Sequence, residues 1–220
     1  MRYNYAYLHG FASSPESKKG LELDRILADH GVNLHRPDLN HPSFQEITYT
    51  GMLEAIDGMV DRVDNDRPWR FIGSSMGGFA AARWAELHPE QVDSLLLLCP
   101  GFDMQSRWPK LLGDDGMEEW EEEGSFLFFD AKDSLQPVHY ELFADADERH
   151  PSYPMPQCPA LLIHGTEDRI VPIESSRSFV EEHGRSKLVE VDDNHKLYDS
   201  LPRIARLALE FFDETVAAAS

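Results

Sequence analysis

The chain predicts an α/β fold: a six-stranded, mainly parallel sheet flanked by helices, in a single domain over residues 1–220 with a cap or lid inserted at about 101–157. Three observations carry this. Short apolar runs alternate with longer amphipathic ones, the pattern of strand–helix units that build a parallel sheet covered on both faces. Small and polar residues gather just past the ends of those apolar runs, where open α/β sheets hold their ligands. The stretch 101–157 breaks the rhythm and is too long for a plain connection.

Taken in order, the first strand is 3–8, an alternating run that breaks at His9-Gly10-Phe11-Ala12. Gly10 allows the turn, and His9 reads as a brace for the loop. Ser13-x-x-Glu16 reads as a capping box, with Pro15 suited to the first turn of a helix over about 16–30. Strand 32–36, a helix over about 45–64 and strand 69–73 follow. Helix 76–87 stops at His88-Pro89, because the residue before proline disfavours helical angles. Strand 92–98 precedes the insertion. Strand 160–164, a helix over about 173–183, strand 186–191 and a helix over about 198–217 complete the chain. His183, at a helix end, reads as a surface residue.

Between strand 69–73 and helix 76–87 lies Gly73-Ser74-Ser75-Met76-Gly77. A G-x-S-x-G in a strand-to-helix context is a nucleophile elbow: the serine occupies a strained turn, and its neighbours two before and two after must be small. A serine hydroxyl attacks only when a histidine takes its proton and a carboxylate orients that histidine. Asp168 follows strand 160–164 in Gly165-Thr166-Glu167-Asp168, with Glu167 as the reserve acid, and His195 follows the last strand. The order Ser, Asp, His is that of the elbow architecture. Backbone N–H groups of Met76 and Phe11 are the expected donors to an oxyanion.

These four segments resemble the α/β-hydrolase superfamily over nearly the whole chain outside 101–157. The opening Leu8-His9-Gly10-Phe11-Ala12-Ser13-Ser14-Pro15-Glu16-Ser17-Lys18 is similar, more narrowly, to the small YqiA-like esterases. The resemblance implies a serine hydrolase with Ser75, Asp168 and His195 as triad and Phe11 and Met76 as oxyanion donors. Asp193-Asn194 before the histidine departs from the usual glycine-rich turn.

Composition narrows the chemistry. The net charge is −20, from 40 acidic against 20 basic residues, so nucleic acid is not an expected partner. A surface this acidic also suits a saline habitat. No apolar run approaches the ~20 residues of a membrane helix, and the N-terminus enters the first strand directly, so a cytoplasmic location is expected. The two cysteines, Cys99 and Cys158, fall at opposite ends of neighbouring strands and read as free thiols. No residue spacing indicates a metal or a phosphate-binding loop, and no cofactor is expected.

Residues 101–157 hold nine aromatics, among them Trp108, Trp120, Phe126 and Phe128, together with the acidic run Glu118 to Glu123. Trp108 and Phe126 are the candidates to touch an acyl or aryl group; such rings also serve a cap's own core. The acids read as a solvated helix face, and would repel polyanionic substrates if they rim the entrance. The expected activity is therefore hydrolysis of neutral carboxylic esters of small to medium acyl or aryl groups through an acyl-enzyme. Thioester, carbon–carbon and peptide cleavage use the same constellation. A ligand-binding homologue without turnover, or an interaction role for the acidic segment, are readings from other classes.

Overall fold

A computed structural model describes residues 2–63 and 65–218, with side chains through residue 213. Six parallel strands form one sheet in the order β2-β1-β3-β4-β7-β8. They are β1 (Asn4–Leu8), β2 (Leu34–His35), β3 (Trp69–Ser74), β4 (Val92–Leu98), β7 (Ala160–Gly165) and β8 (Ser186–Val191). β5 (Ser125–Phe129) and β6 (Leu135–His139) form a separate antiparallel hairpin.

The central strands are apolar throughout, yet their alternation still sorts side chains between two cores. Leu95 and Leu97 of β4 join Phe71 and Leu162 on one face, against α2 (Tyr49–Arg62), α3 (Met76–Leu87) and α6 (Ile173–Glu182). Leu96 and Leu98 join Tyr7, Ile72 and Ile163 on the other, against α1 (Lys18–Ala28) and α7 (Leu201–Ala218). Tight strand–helix packing needs small residues at one place in particular. A Cβ on Gly73 would lie 2.5 Å from the Gly77 carbonyl oxygen and 2.7 Å from Gly78 Cα.

Four local expectations are corrected. The first helix begins at Lys18, not near residue 16: its N-cap is Ser17, whose hydroxyl accepts from Gly20 N–H. Ser13 and Glu16 form no capping box; Ser14 Oγ and the Ser14 carbonyl instead receive the Glu16 and Ser17 amides. The Phe11–Glu16 stretch is thus spent on a turn leaving the sheet. The second helix starts at Tyr49 behind the N-cap Thr48; position 64, its expected end, lies outside the described residues. His183 is buried rather than exposed, stacked 5.0 Å from Phe179 and hydrogen-bonded to the Pro156 carbonyl. A helix-ending histidine turns inward here because the chain entering β7 passes directly over it.

Residues 101–157 fold as α4 (Met104–Glu122), the β5–β6 hairpin and α5 (Glu141–Arg149). α4 is broken at Gly113, whose φ of 75° only glycine adopts freely. Trp120 is buried while Glu118, Glu119 and Glu121 to Glu123 face solvent, as the spacing predicts. The hairpin is apolar on both faces: Phe126, Phe128 and Val138 point inward, whereas Leu127, Phe129 and Leu135 are exposed. Among the described residues, no helix is long and apolar enough to cross a membrane.

Candidate active site

Ser75 stands between β3 and α3 with φ 54° and ψ −122°, a strained conformation for a residue with a side chain. The surroundings over-determine it. Ser75 N–H donates to the Leu98 carbonyl at 2.9 Å, and its own carbonyl accepts from Gly78 at 2.8 Å and Gly101 at 2.9 Å. A side chain on Gly77 would collide with the carbonyls of Leu8 and His9, so the elbow and the end of β1 touch only because residue 77 is glycine. On the other side, a Cβ on Gly10 would sit 3.0 Å from Ser75 Cβ. The Phe11 loop is therefore pressed against the Ser75 turn.

His9 braces that loop, as expected. Its ring is buried; Nε2 accepts from Leu39 N–H at 2.9 Å, which leaves Nδ1–H to donate to the Gly10 carbonyl at 2.9 Å. Among the described residues, the N–H groups of Phe11 and Met76 donate to no protein acceptor. Phe11 adjoins Gly10, which packs on Ser75, and Met76 follows Ser75 directly, so both free donors belong to segments at the Ser75 turn.

Asp168 and His195 come together from loops after β7 and β8. Oδ2 of Asp168 accepts from His195 Nδ1–H at 2.6 Å, while Oδ1 accepts from the Ile170 and Val171 amides at 2.8 and 2.9 Å. His164, the penultimate residue of β7, approaches Oδ2 at 3.3 Å. Burial alone would push the Asp168 carboxyl up. The hydrogen bonds from His164, His195 and the Val171 amide outweigh it and hold the group well below the usual carboxylate range. Asp168 is therefore an anion with no solvent exposure of its side chain, and His195 is 22% exposed. Glu167 points into solvent, so the choice between the two acids falls on Asp168.

The two loops are clamped at Gly165, where a side chain would strike the carbonyl of Asp193; Glu167 N–H donates to that same carbonyl at 3.0 Å. Asp193, the departure from a glycine-rich turn, shapes the histidine loop: its carboxylate accepts from the Asn194 and Ser200 amides at 2.7 and 3.0 Å. With Nδ1–H given to Asp168, His195 Nε2 is left with a free lone pair. Among the described residues, neither His195 Nε2 nor Ser75 Oγ makes a hydrogen bond.

Sequence reasoning missed His164 and the buried Lys19, and marked Asp193 only as a departure from a glycine-rich turn. A histidine inside the apolar run Leu161-Leu162-Ile163 was a visible signal for the first; Nδ1 meets Ser176 Oγ at 2.7 Å and Nε2 the Val171 carbonyl at 2.9 Å. Nothing in the pattern marked Lys19. Potential ligand atoms of Cys99, His164 and Asp168 lie within 4.8 Å of one another, a convergence that linear spacing cannot reveal. The histidine and the acid are occupied by the bonds above, and burial raises the Cys99 thiol out of the thiolate range that metals need. Both cysteines are free and buried.

Of the two aromatic candidates, Trp108 lies nearer the elbow. It is buried edge-on to Phe11, with ring centres 5.5 Å apart, and packs against Trp120 and Phe128 at 5.5 Å. Its indole Nε1 is buried without a hydrogen-bond partner. Phe126 is one ring further out, 5.4 Å from Phe128. Phe44, unremarked in the sequence, packs at a tilt against Phe11 with ring centres 5.3 Å apart.

Comparison with known proteins fits this geometry. The chain is 31% identical over 102 residues to human monoacylglycerol lipase ABHD6, covering 42% of this chain and 29% of the lipase. It is 30% identical over 146 residues to the pimeloyl-[acyl-carrier protein] methyl ester esterase of Chromobacterium violaceum, covering 52% of this chain and 57% of the esterase. The chain thus spans less than two thirds of these relatives. Among solved structures, a protein of Agrobacterium vitis S4 provisionally described as a hydrolase superposes with a TM-score of 0.82 at 25% identity, over 95% of this chain and 87% of that one. Est1E of Butyrivibrio proteoclasticus, with ferulic acid bound, gives 0.79 at 21% identity over 98% and 90%, a likeness of fold. A family model described as "Uncharacterised protein family (UPF0227)" matches residues 4–212, and the chain belongs to that family within the α/β-hydrolase superfamily.

Proposed function

We propose that this protein is a serine hydrolase of carboxylic esters, working through an acyl-enzyme. The observation that carries the reading is the 2.6 Å pair of buried Asp168 and His195 on the rim where Ser75 occupies its strained elbow between two unpaired N–H groups. Ser75 Oγ attacks the ester carbonyl while His195 Nε2 takes its proton. The carbonyl oxygen becomes an oxyanion held by the Phe11 and Met76 amides. His195 then returns the proton to the departing alcohol. Water, deprotonated by the same imidazole, attacks the acyl-enzyme and releases the acid. Asp168 fixes the tautomer and stabilises the imidazolium throughout. The Ser75–His195 hydrogen bond, missing here, forms as substrate settles, since such bonds commonly tighten only in the bound complex.

Residues 101–157 act as the cap, with Trp108 beside the oxyanion loop and Phe126 behind it lining the acyl side. A cleft of about 590 Å³ beside that loop is bordered by Glu16, Asp38 and Asp130, against the one cation Lys132. Those carboxylates favour neutral esters over polyanionic acyl carriers. Two buried, unpaired thiols suit a cytoplasmic protein. Est1E with ferulic acid bound and the esterase and lipase relatives point the same way.

The test is a panel of neutral esters, thioesters and amides of graded acyl length, run beside a fluorophosphonate probe whose adduct is mapped by mass spectrometry. Adduct on Ser75 with ester turnover is the expected result. Adduct on another residue, or turnover confined to amides or thioesters, would replace this reading with another member of the class. No adduct and no turnover would favour a ligand-binding homologue.

A further inference from the structure

We propose that His164 is a positioning residue of this site: from inside β7 it ties down the Asp168 loop at both arms of the carboxylate, and so keeps that acid aimed at His195. The inference rests on the esterase reading for its effect on turnover, though not for its effect on the His195 ring.

β7 is buried along its whole length, and His164 is its one polar side chain. With no exposed surface, the imidazole needs a partner at each nitrogen, because an unmade hydrogen bond in a dry interior is costly. Both partners are present. Nε2 faces two acceptors, the Val171 carbonyl at 2.9 Å and Asp168 Oδ2 at 3.3 Å, so it carries the hydrogen. Nδ1 meets Ser176 Oγ of α6 at 2.7 Å, and a neutral ring accepts the Ser176 O–H there. That contact fixes the tautomer, since a hydrogen moved to Nδ1 would leave two oxygens facing a bare lone pair.

The result is a closed frame around Asp168. Val171 gives its N–H to Asp168 Oδ1 at 2.9 Å and its carbonyl to His164. His164 therefore anchors the very residue that holds one arm of the carboxylate. Its Nε2 also borders the other arm, Oδ2, which receives His195 Nδ1–H at 2.6 Å. The loop leaving β7 is thus tied back to the strand it left. That strand lies between β4 and β8, hydrogen-bonded to both, which makes it a firmer support than any loop.

A hydrocarbon ring at position 164 would fill the same space and leave the Val171 carbonyl and Asp168 Oδ2 without this donor. The acid loop could then shift, and His195 would no longer be confined to the tautomer that turns Nε2 outward. A misplacement of about 1 Å costs on the order of 10²-fold in rate.

The experiment compares wild type with His164→Phe, His164→Asn and His164→Gln. Glutamine offers an N–H near the position of Nε2, whereas asparagine reaches only as far as Nδ1, towards Ser176. Two quantities are read: kcat and KM on a neutral ester, and the His195 tautomer from ring 15N spectra of histidine-labelled protein above neutral pH. Loss of one ring in His195→Gln assigns the signal. Wild type should show a single Nδ1–H tautomer. His164→Phe and His164→Asn should lower kcat by on the order of 10²-fold with KM near its wild-type value, and give a mixture of His195 tautomers. His164→Gln should restore the single tautomer and most of kcat. If His164→Phe does not fold, His164→Asn carries the same expectation. A single Nδ1–H tautomer in the folded Phe and Asn variants, or no recovery in His164→Gln, would overturn the proposal and leave His164 a packing residue. If the wild type hydrolyses no ester, the esterase reading fails while the tautomer still decides the role of His164.

Discussion

The rim of the sheet and the segment 101–157 are built by different means. On the rim, backbone decides position: Gly10, Gly73, Gly77 and Gly165 permit contacts that a single Cβ would forbid, and Ser75 and Asp168 are each pinned by main-chain hydrogen bonds. In the segment, side chains decide: Trp108, Trp120 and Phe128 meet one another edge-on, α4 breaks at Gly113, and the hairpin leaves Leu127 and Phe129 exposed. Backbone contacts fix atoms to fractions of an ångström, as acyl transfer requires. Aromatic packing tolerates repacking at modest cost, which suits a surface that adapts to what it binds. Chemistry and specificity are thus expected to respond to mutation in separate ways.

The sharpest break would come from Ser75→Ala. Turnover should fall on the order of 10⁶-fold with the melting temperature held, and near-normal turnover would move the nucleophile elsewhere. Next, Asp168→Asn should cost about 10⁴ in kcat, because an amide cannot hold His195 in the required tautomer. Glu167→Gln, on the exposed neighbour, should match wild type; equal losses at 167 and 168 would undo the assignment of the acid.

In the segment, Trp120→Ala removes a fully buried ring and its hydrogen bond to the Val138 carbonyl, 2.9 Å long. It should cost about 3–5 kcal/mol in denaturant unfolding. Trp108→Ala should alter acyl-length preference more than acetate-ester hydrolysis, measured as kcat/KM ratios across the ester series. Equal losses for all esters would place Trp108 with the rim, acting through Phe11. Smallest of all, Phe129→Ser on the exposed hairpin face should change stability by no more than about 0.5 kcal/mol.

The alternating pattern was enough to read all six strands of the main sheet, because parallel strands buried on both faces leave apolar runs that helices do not imitate. It also singled out Ser75, Asp168 and His195, each just past a strand, for the roles proposed here; the structure pairs Asp168 with His195 at 2.6 Å. It failed in the turn from sheet to helix: Ser13 forms no capping box, its neighbour Ser14 takes the Glu16 amide instead, and the helix starts one residue past Ser17. His183 was misplaced because its burial depends on a chain segment 27 residues away.

The sequence alone determined the layer architecture and the tight small-residue turn after β3, for these rest on periodicity and on residues constrained by their immediate neighbours. Only the tertiary structure decided between Glu167 and Asp168, set His164 and Asp193 around the acid, and separated Lys19 from Lys18. Those choices turn on burial and on charges brought together from distant loops, and the free energy of a charge depends on what surrounds it in space rather than on what precedes it in the chain.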